Sequence, residues 1–154
     1  MIYILTALKS EAQAVVDRYK LTRDKKNDEL SLFISGVGAQ NMFTKAKMVR
    51  ELMSDDDIIV NIGICGASKE YKIGQLVDGF KENLTCVDCE VSQDEGYTLV
   101  DMESSGFLEA TEGLQKRYIF KVVSDHFEPE RVTKEGTKAL IFNHIDEIMQ
   151  RVKL

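Results

Sequence analysis

An α/β fold built around a central mixed, largely parallel sheet is what the sequence predicts, and three observations carry that prediction. Apolar, β-branched runs of strand length alternate with amphipathic stretches of helix length along the chain. Several of the runs lack alternating polar residues, which marks a sheet covered on both faces and hence three layers. The 154 residues contain one proline and no low-complexity tract or linker, so the expectation is a single domain over 1–154. An apolar share of 44% against 30% charged is that of a globular chain with its own core.

The elements follow in order. Met1–Leu8 reads as a buried strand. A helix follows with Ser10 and Gln13 at capping-box spacing and Ala12, Val15, Val16 and Tyr19 as its apolar stripe. Leu30–Ile34 is the next strand, broken by Ser35-Gly36-Val37-Gly38. A second helix covers about Gln40 to Met53. Ile58–Ile62 is a strand rich in β-branched residues, and Gly63–Ser68 reads as the loop after it. Short strand-like pieces at Gln75–Val77 and Leu84–Val87 come next. They are followed by a strand at Tyr97–Met102, a helix at Ser104–Leu114, a strand at Tyr118–Val123 and a closing helix from Val132 to Val152.

Charge and cysteine content narrow the function classes. Twenty basic residues against twenty-six acidic ones give a net charge of −6, and the basic ones are scattered, so nucleic acid and anionic membrane are poor partners. Three cysteines cannot all pair within the chain, and the apolar start before Lys9 is too short for a secretory leader, so a soluble cytoplasmic protein is expected. Cys86 and Cys89 have metal or redox spacing, yet only two histidines accompany them and no metal site is expected. Neither glycine loop completes a dinucleotide or P-loop pattern, so no cofactor is expected.

In open α/β sheets ligands bind beyond the carboxyl ends of the strands, and three acidic residues stand at such places: Glu11, Glu103 and Asp125. Asp125 follows a strand in which Lys121 is the lone charge, so burial would suit it as a general acid, while a turn-capping role fits equally well. Glu11 is either a base at a strand-to-helix junction or an ordinary first-turn acid. Asp101 and Glu103 flank Met102, as a binding pair or as a solvated strand end.

Taken in order, the segments Ile4–Leu8 to Glu11, Ser35–Gly38, Ile59–Ala67, Val100–Gly106 and Val123–His126 resemble the nucleoside phosphorylase and nucleosidase superfamily, which includes the methylthioadenosine/S-adenosylhomocysteine nucleosidases. The resemblance covers Met1 to about Glu130 and implies the phosphorylase/hydrolase-like three-layer fold. It also implies cleavage of the bond between ribose and a purine. By the same resemblance Asp125 assists the purine at N7, Glu11 activates the attacking water, and Met102 with Glu103 lies under the ribose. Cys65, Gly66, Ser124 and Tyr97 are expected, on that resemblance, to line the base pocket. Superfamily members commonly complete that pocket across a dimer interface, so a homodimer acting on a small nucleoside is expected.

Phosphorylases that this chain resembles carry an arginine and a serine to grip phosphate where it has Asn61 and Ile64. Hydrolysis is therefore the expected reaction, with phosphorolysis the alternative. The stretch from Gln75 to Tyr97 is short for the superfamily and has only Phe80 and Tyr97 as aromatics, which motivates a third reading as a catalytically weak nucleoside-binding or self-assembling domain.

Overall fold

A computed structural model describes residues 1–154. In chain order the elements are β1 (Ile2–Thr6), α1 (Lys9–Tyr19), β2 (Leu30–Ile34), α2 (Ala39–Leu52), β3 (Ile58–Ala67), β4 (Leu76–Asp78) and β5 (Leu84–Cys86). After these come β6 (Leu99–Asp101), α3 (Ser104–Ala110), β7 (Arg117–Asp125), a short 3₁₀ turn at Pro129–Arg131, and α4 (Lys134–Val152).

The long β3 is the axis of a seven-stranded mixed sheet. Its first half pairs in parallel with β1, which pairs in parallel with β2, and its other edge runs parallel to β7. Beyond β1, the end of β3 pairs antiparallel with β6 at Gly66 and Ala67, and β5 pairs in parallel with β6. β4 closes the far edge antiparallel to β7. α1 and α4 cover one face through Ala12, Val15, Ile141, Ile145 and Ile148, packed on Ile4, Val60 and Phe120. α2 and α3 cover the other face through Met42, Ala46, Val49 and Phe107, packed on Leu5, Ile59 and Ile119. The expected three layers are present.

Three local expectations are corrected. Gly63–Ser68 is not a loop: β3 runs on to Ala67, because β7 and then β6 supply pairing partners along its whole length, with one register shift at Cys65/Gly66. Nor does Ser10 cap α1. Leu8 is the N-cap, and the Glu11 carboxylate reaches back to the Leu8 N–H, so a catalytic candidate does the capping. α3 is also shorter than expected, since Arg50 of α2 donates to the Ala110 and Glu112 carbonyls and Gly113 turns at a φ of 87°.

α3 sits hard against the start of α2. A methyl group on Gly106 would meet the Ala39 carbonyl oxygen at 1.9 Å, a backbone atom with nowhere to go. Gly106→Ala is therefore expected to destabilise the fold by ~1–3 kcal/mol, read as a lower denaturation midpoint. An unchanged midpoint would mean the helices separate freely.

Candidate active site

The residues after β1, β2, β6 and β7, with the distal part of β3, enclose a cavity of about 200 Å³ at the carboxyl ends of the parallel strands. Glu11 stands in its wall, 2% exposed. Its Oε1 accepts from the N–H groups of Ala7 (3.0 Å) and Leu8 (2.8 Å), and its Oε2 accepts from Ile64 N–H (2.9 Å). The carboxylate thus ties the β1–α1 turn to β3. Burial pushes the Glu11 carboxyl up to about 7, against the pull of Lys121 and the Leu8 and Ile64 N–H groups. A carboxyl that titrates near neutrality can take up and release a proton at working pH, as a general base must.

Lys121 explains the rest of the electrostatics. It is 1% exposed on β7, with Nζ 3.1 Å from Asp101 Oδ2. Burial alone would lower its pKa, but Asp101, then Glu103 and Glu11, outweigh that and hold the ammonium charged. Gly63 makes the approach possible. A methyl there would lie 2.8 Å from Glu11 Oε2 and 3.2 Å from Lys121 Nζ, so the glycine is needed for close approach rather than for a turn. One buried cation therefore serves three buried carboxyls. Asp101 has the direct contact, and Glu11 is left to titrate.

Asp101 and Glu103 are not a solvated strand end, being 5% and 7% exposed. Asp101 ends β6 and caps α3, accepting from Ser104 N–H (2.9 Å) and the Ser104 hydroxyl (2.6 Å). Glu103 Oε2 accepts from Gly38 N–H at 2.8 Å, and its other oxygen has no partner within the chain. Asp125 closes the site from the end of β7. Its Oδ1 accepts from the Ser124 hydroxyl (2.6 Å) and its Oδ2 from Glu128 N–H (2.8 Å), so the turn-capping alternative is realised and fixes the carboxyl in place. Phe127 takes a φ of 59° in that turn, with its ring packed toward Gly66.

Glu11, Met102, Glu103, Cys65, Gly66, Ser124 and Asp125 all line the one cavity. Tyr97 does not. It precedes β6 while the site lies beyond that strand's other end, and four residues of extended chain span roughly 13 Å. No aromatic side chain reaches the cavity, whose wall there is Val87, Val91 and Val100. Phe80 instead lies under the Arg117 guanidinium, 5.3 Å from its ring centre. Burial pushes the Cys65 thiol up to about 12, which keeps it a neutral wall group rather than a nucleophile.

No protein-family model matches the sequence, and no curated protein matches it. Solved structures do. A methylthioadenosine/S-adenosylhomocysteine nucleosidase from Campylobacter jejuni superposes with a TM-score of 0.77 at 14% identity, over 99% of each chain. The enzyme from Neisseria meningitidis, in complex with methylthio-immucillin-A, gives 0.73 at 15% identity over 97% of this chain and 98% of that one. Futalosine hydrolase from Helicobacter pylori gives 0.71 at 13% identity over 95% and 97%. The chain shares the fold of these structures.

Within that fold, sequence reasoning missed Glu90, Val87 and Val91, which reach the cavity from the segment after β5. No periodicity marks them. Lys121 was legible as a lone charge in an apolar strand, but only the packing shows which carboxylates it serves. Asn61 is buried within the sheet, its amide nitrogen donating to the Leu5 carbonyl (3.1 Å), and it does not line the cavity. Ile64 does.

Proposed function

We propose that this chain hydrolyses the N-glycosidic bond of a purine nucleoside, with water as the nucleophile. The observation that carries the reading is the cavity's charge: Glu11, Glu90, Asp101, Glu103 and Asp125 line it, and no lysine or arginine does. A phosphate dianion has no cation to meet there, whereas water and the hydroxyls of a sugar find acceptors. Asp125, held by Ser124 and Glu128, stands to donate a proton at purine N7 as the C1′–N9 bond breaks and its electron pair passes to the base. Glu11 takes a proton from the water that bonds to C1′. Glu103, with one oxygen free, accepts from the ribose hydroxyls beside Met102. Base and free sugar leave, and the protons balance.

A homodimer in the cytoplasm belongs to the same reading. Val37 lines the cavity and is 47% exposed, so a second copy packed on that side would complete a wall that has no aromatic ring of its own. Three free cysteines suit a reducing compartment.

The test is base release from a panel of purine nucleosides, with and without phosphate. Release without phosphate is expected, and strict dependence on phosphate would favour phosphorolysis. The pH profile gives a second check. Glu11 must be ionised to accept a proton, so the turnover rate should rise with pH through about 7. A profile flat across that range would remove Glu11 as the base. The all-aliphatic wall favours one other reading, a domain that binds nucleosides without turning them over. Heat of binding without base release at high protein concentration would support it.

A further inference from the structure

The Cys86-Val87-Asp88-Cys89 motif takes no part in the proposed hydrolysis, yet the fold sets it at the edge of the cavity. Cys86 ends β5 beside Asp101 in the register of β5 with β6, and Val87 N–H still bonds the Asp101 carbonyl at 2.8 Å. The chain then leaves the sheet. Val87, Glu90 and Val91 line the cavity, so the motif frames one side of its wall. From Asp88 to Tyr97 the one hydrogen bond is local, Asp94 accepting from Gly96 N–H at 3.0 Å. A stretch with so few bonds to the rest of the fold lies at the low-stability end of a structure and rearranges locally.

All three cysteines are free, but they differ in access: Cys65 is buried, Cys86 is half-buried and Cys89 is exposed. Cys86 Sγ accepts from the Ser105 hydroxyl at 3.2 Å, in the first turn of α3 and two residues past Glu103. A disulfide needs Cα atoms roughly 4.4–6.8 Å apart, whereas three residues of extended chain cover about 10 Å. Here the chain bends at Asp88 and Cys89, but Cys89 N–H does not return to the Cys86 carbonyl to close a turn. A bridge would draw the four residues into one. Val87 then stands inside the turn, with Glu90 and Val91 directly after it.

We infer that Cys86 and Cys89 are a thiol–disulfide pair whose closure pulls the Val87–Val91 wall away from the cavity and weakens its hold on a ligand. The oxidant is a low-molecular-weight disulfide. Exposed Cys89, as thiolate, attacks one of its sulfurs and releases the first small thiol; Cys86 then attacks the Cys89 sulfur of the mixed disulfide and releases the second. The chain gives up two protons and two electrons, and the reagent takes up both. In a reducing compartment the pair rests as the dithiol, so the wall stays in place until conditions turn oxidising. This chemistry does not depend on the reaction in the cavity.

The test treats the intact chain with 2-hydroxyethyl disulfide, a neutral reagent that Asp88 and Glu90 do not repel. Mass analysis after thiol capping should find one intrachain bridge between Cys86 and Cys89, with Cys65 still a thiol. Methyl NMR should then show the Val87, Val91 and Val100 signals moved and those of Val49 and Val152, which do not line the cavity, unmoved. At low substrate, base release should be roughly tenfold slower in the oxidised parent, as contact with two valines is lost. Dithiothreitol should restore it, and Cys89→Ser should not respond to the reagent. No bridge, a bridge between two chains, a chain left as the mixed disulfide, or a bridge that leaves the three valine signals in place would overturn the inference. Equal release rates before and after oxidation would do the same. A chain that releases no base in either form loses the hydrolytic reading, and the valine signals alone then decide the switch.

Discussion

Glu11→Gln is expected to release purine ~10²–10⁴ times more slowly than the parent chain, the usual worth of a positioned general base. The amide keeps the shape but cannot take a proton, and the rise in rate with pH through about 7 should vanish with it. One structural effect accompanies the kinetic one. The carboxylate accepts from three N–H groups, two on one oxygen and one on the other, and glutamine turns a donor toward one of those sets. A pH series separates the two effects. In the parent chain the Glu11 carboxyl is raised from 4.5 to about 7 on folding, so its contribution to stability is whole below 4.5 and is lost as pH rises through 7. That loss is about 3 kcal/mol and should be missing from the variant, whatever constant penalty the glutamine brings. If parent and variant lose stability in parallel over that range, Glu11 is not the group that titrates there.

Lys121→Met should cost about 3–5 kcal/mol of stability, the effect of removing one partner from a buried ion pair. The magnitude follows from what is left behind: Asp101 at 5%, Glu11 at 2% and Glu103 at 7% exposure, with no other cation among them. Without the ammonium, burial is less opposed at Glu11 and its pKa should climb further, carrying the acid limb of the rate profile above 7. Lys121 touches no substrate atom in this account. It positions Asp101 and sets the charge state of Glu11, so the shifted pH limb is the readout that a purely structural lysine would not move. A variant as stable as the parent, with an unmoved limb, would mean the three carboxyls are already neutral in the folded chain.

How much of this was legible in the sequence depends on the range of the forces involved. β2 was readable to the residue, because Leu30–Ile34 is an apolar run with charge before it and glycine after it. The same logic failed at Gly63–Ser68. Glycines there read as a turn, but Gly63 is small so that the Glu11 carboxylate and Lys121 can approach β3, and Gly66 lies tight against Val100. The Ser10 cap failed for a related reason: a local rule gave way to a carboxylate held from three sides. Strand ends pointed to Glu11, Glu103 and Asp125, and the packing brings the three to one cavity. Pairing Lys121 with Asp101 takes a contact between β7 and β6, strands that share no edge in the sheet, and no sequence period reports it. Tyr97 was misplaced because the strand begins only at Leu99, which leaves Tyr97 before β6 while the cavity lies beyond that strand's other end.

Incubation of the chain with a purine nucleoside in phosphate-free buffer, in water enriched in the heavy oxygen isotope, asks whether water is the nucleophile. Mass analysis of the products should find free base and a sugar carrying one heavy oxygen at C1′. No release of base, or release only when phosphate is added and with the phosphate ester of the sugar as product, would contradict hydrolysis.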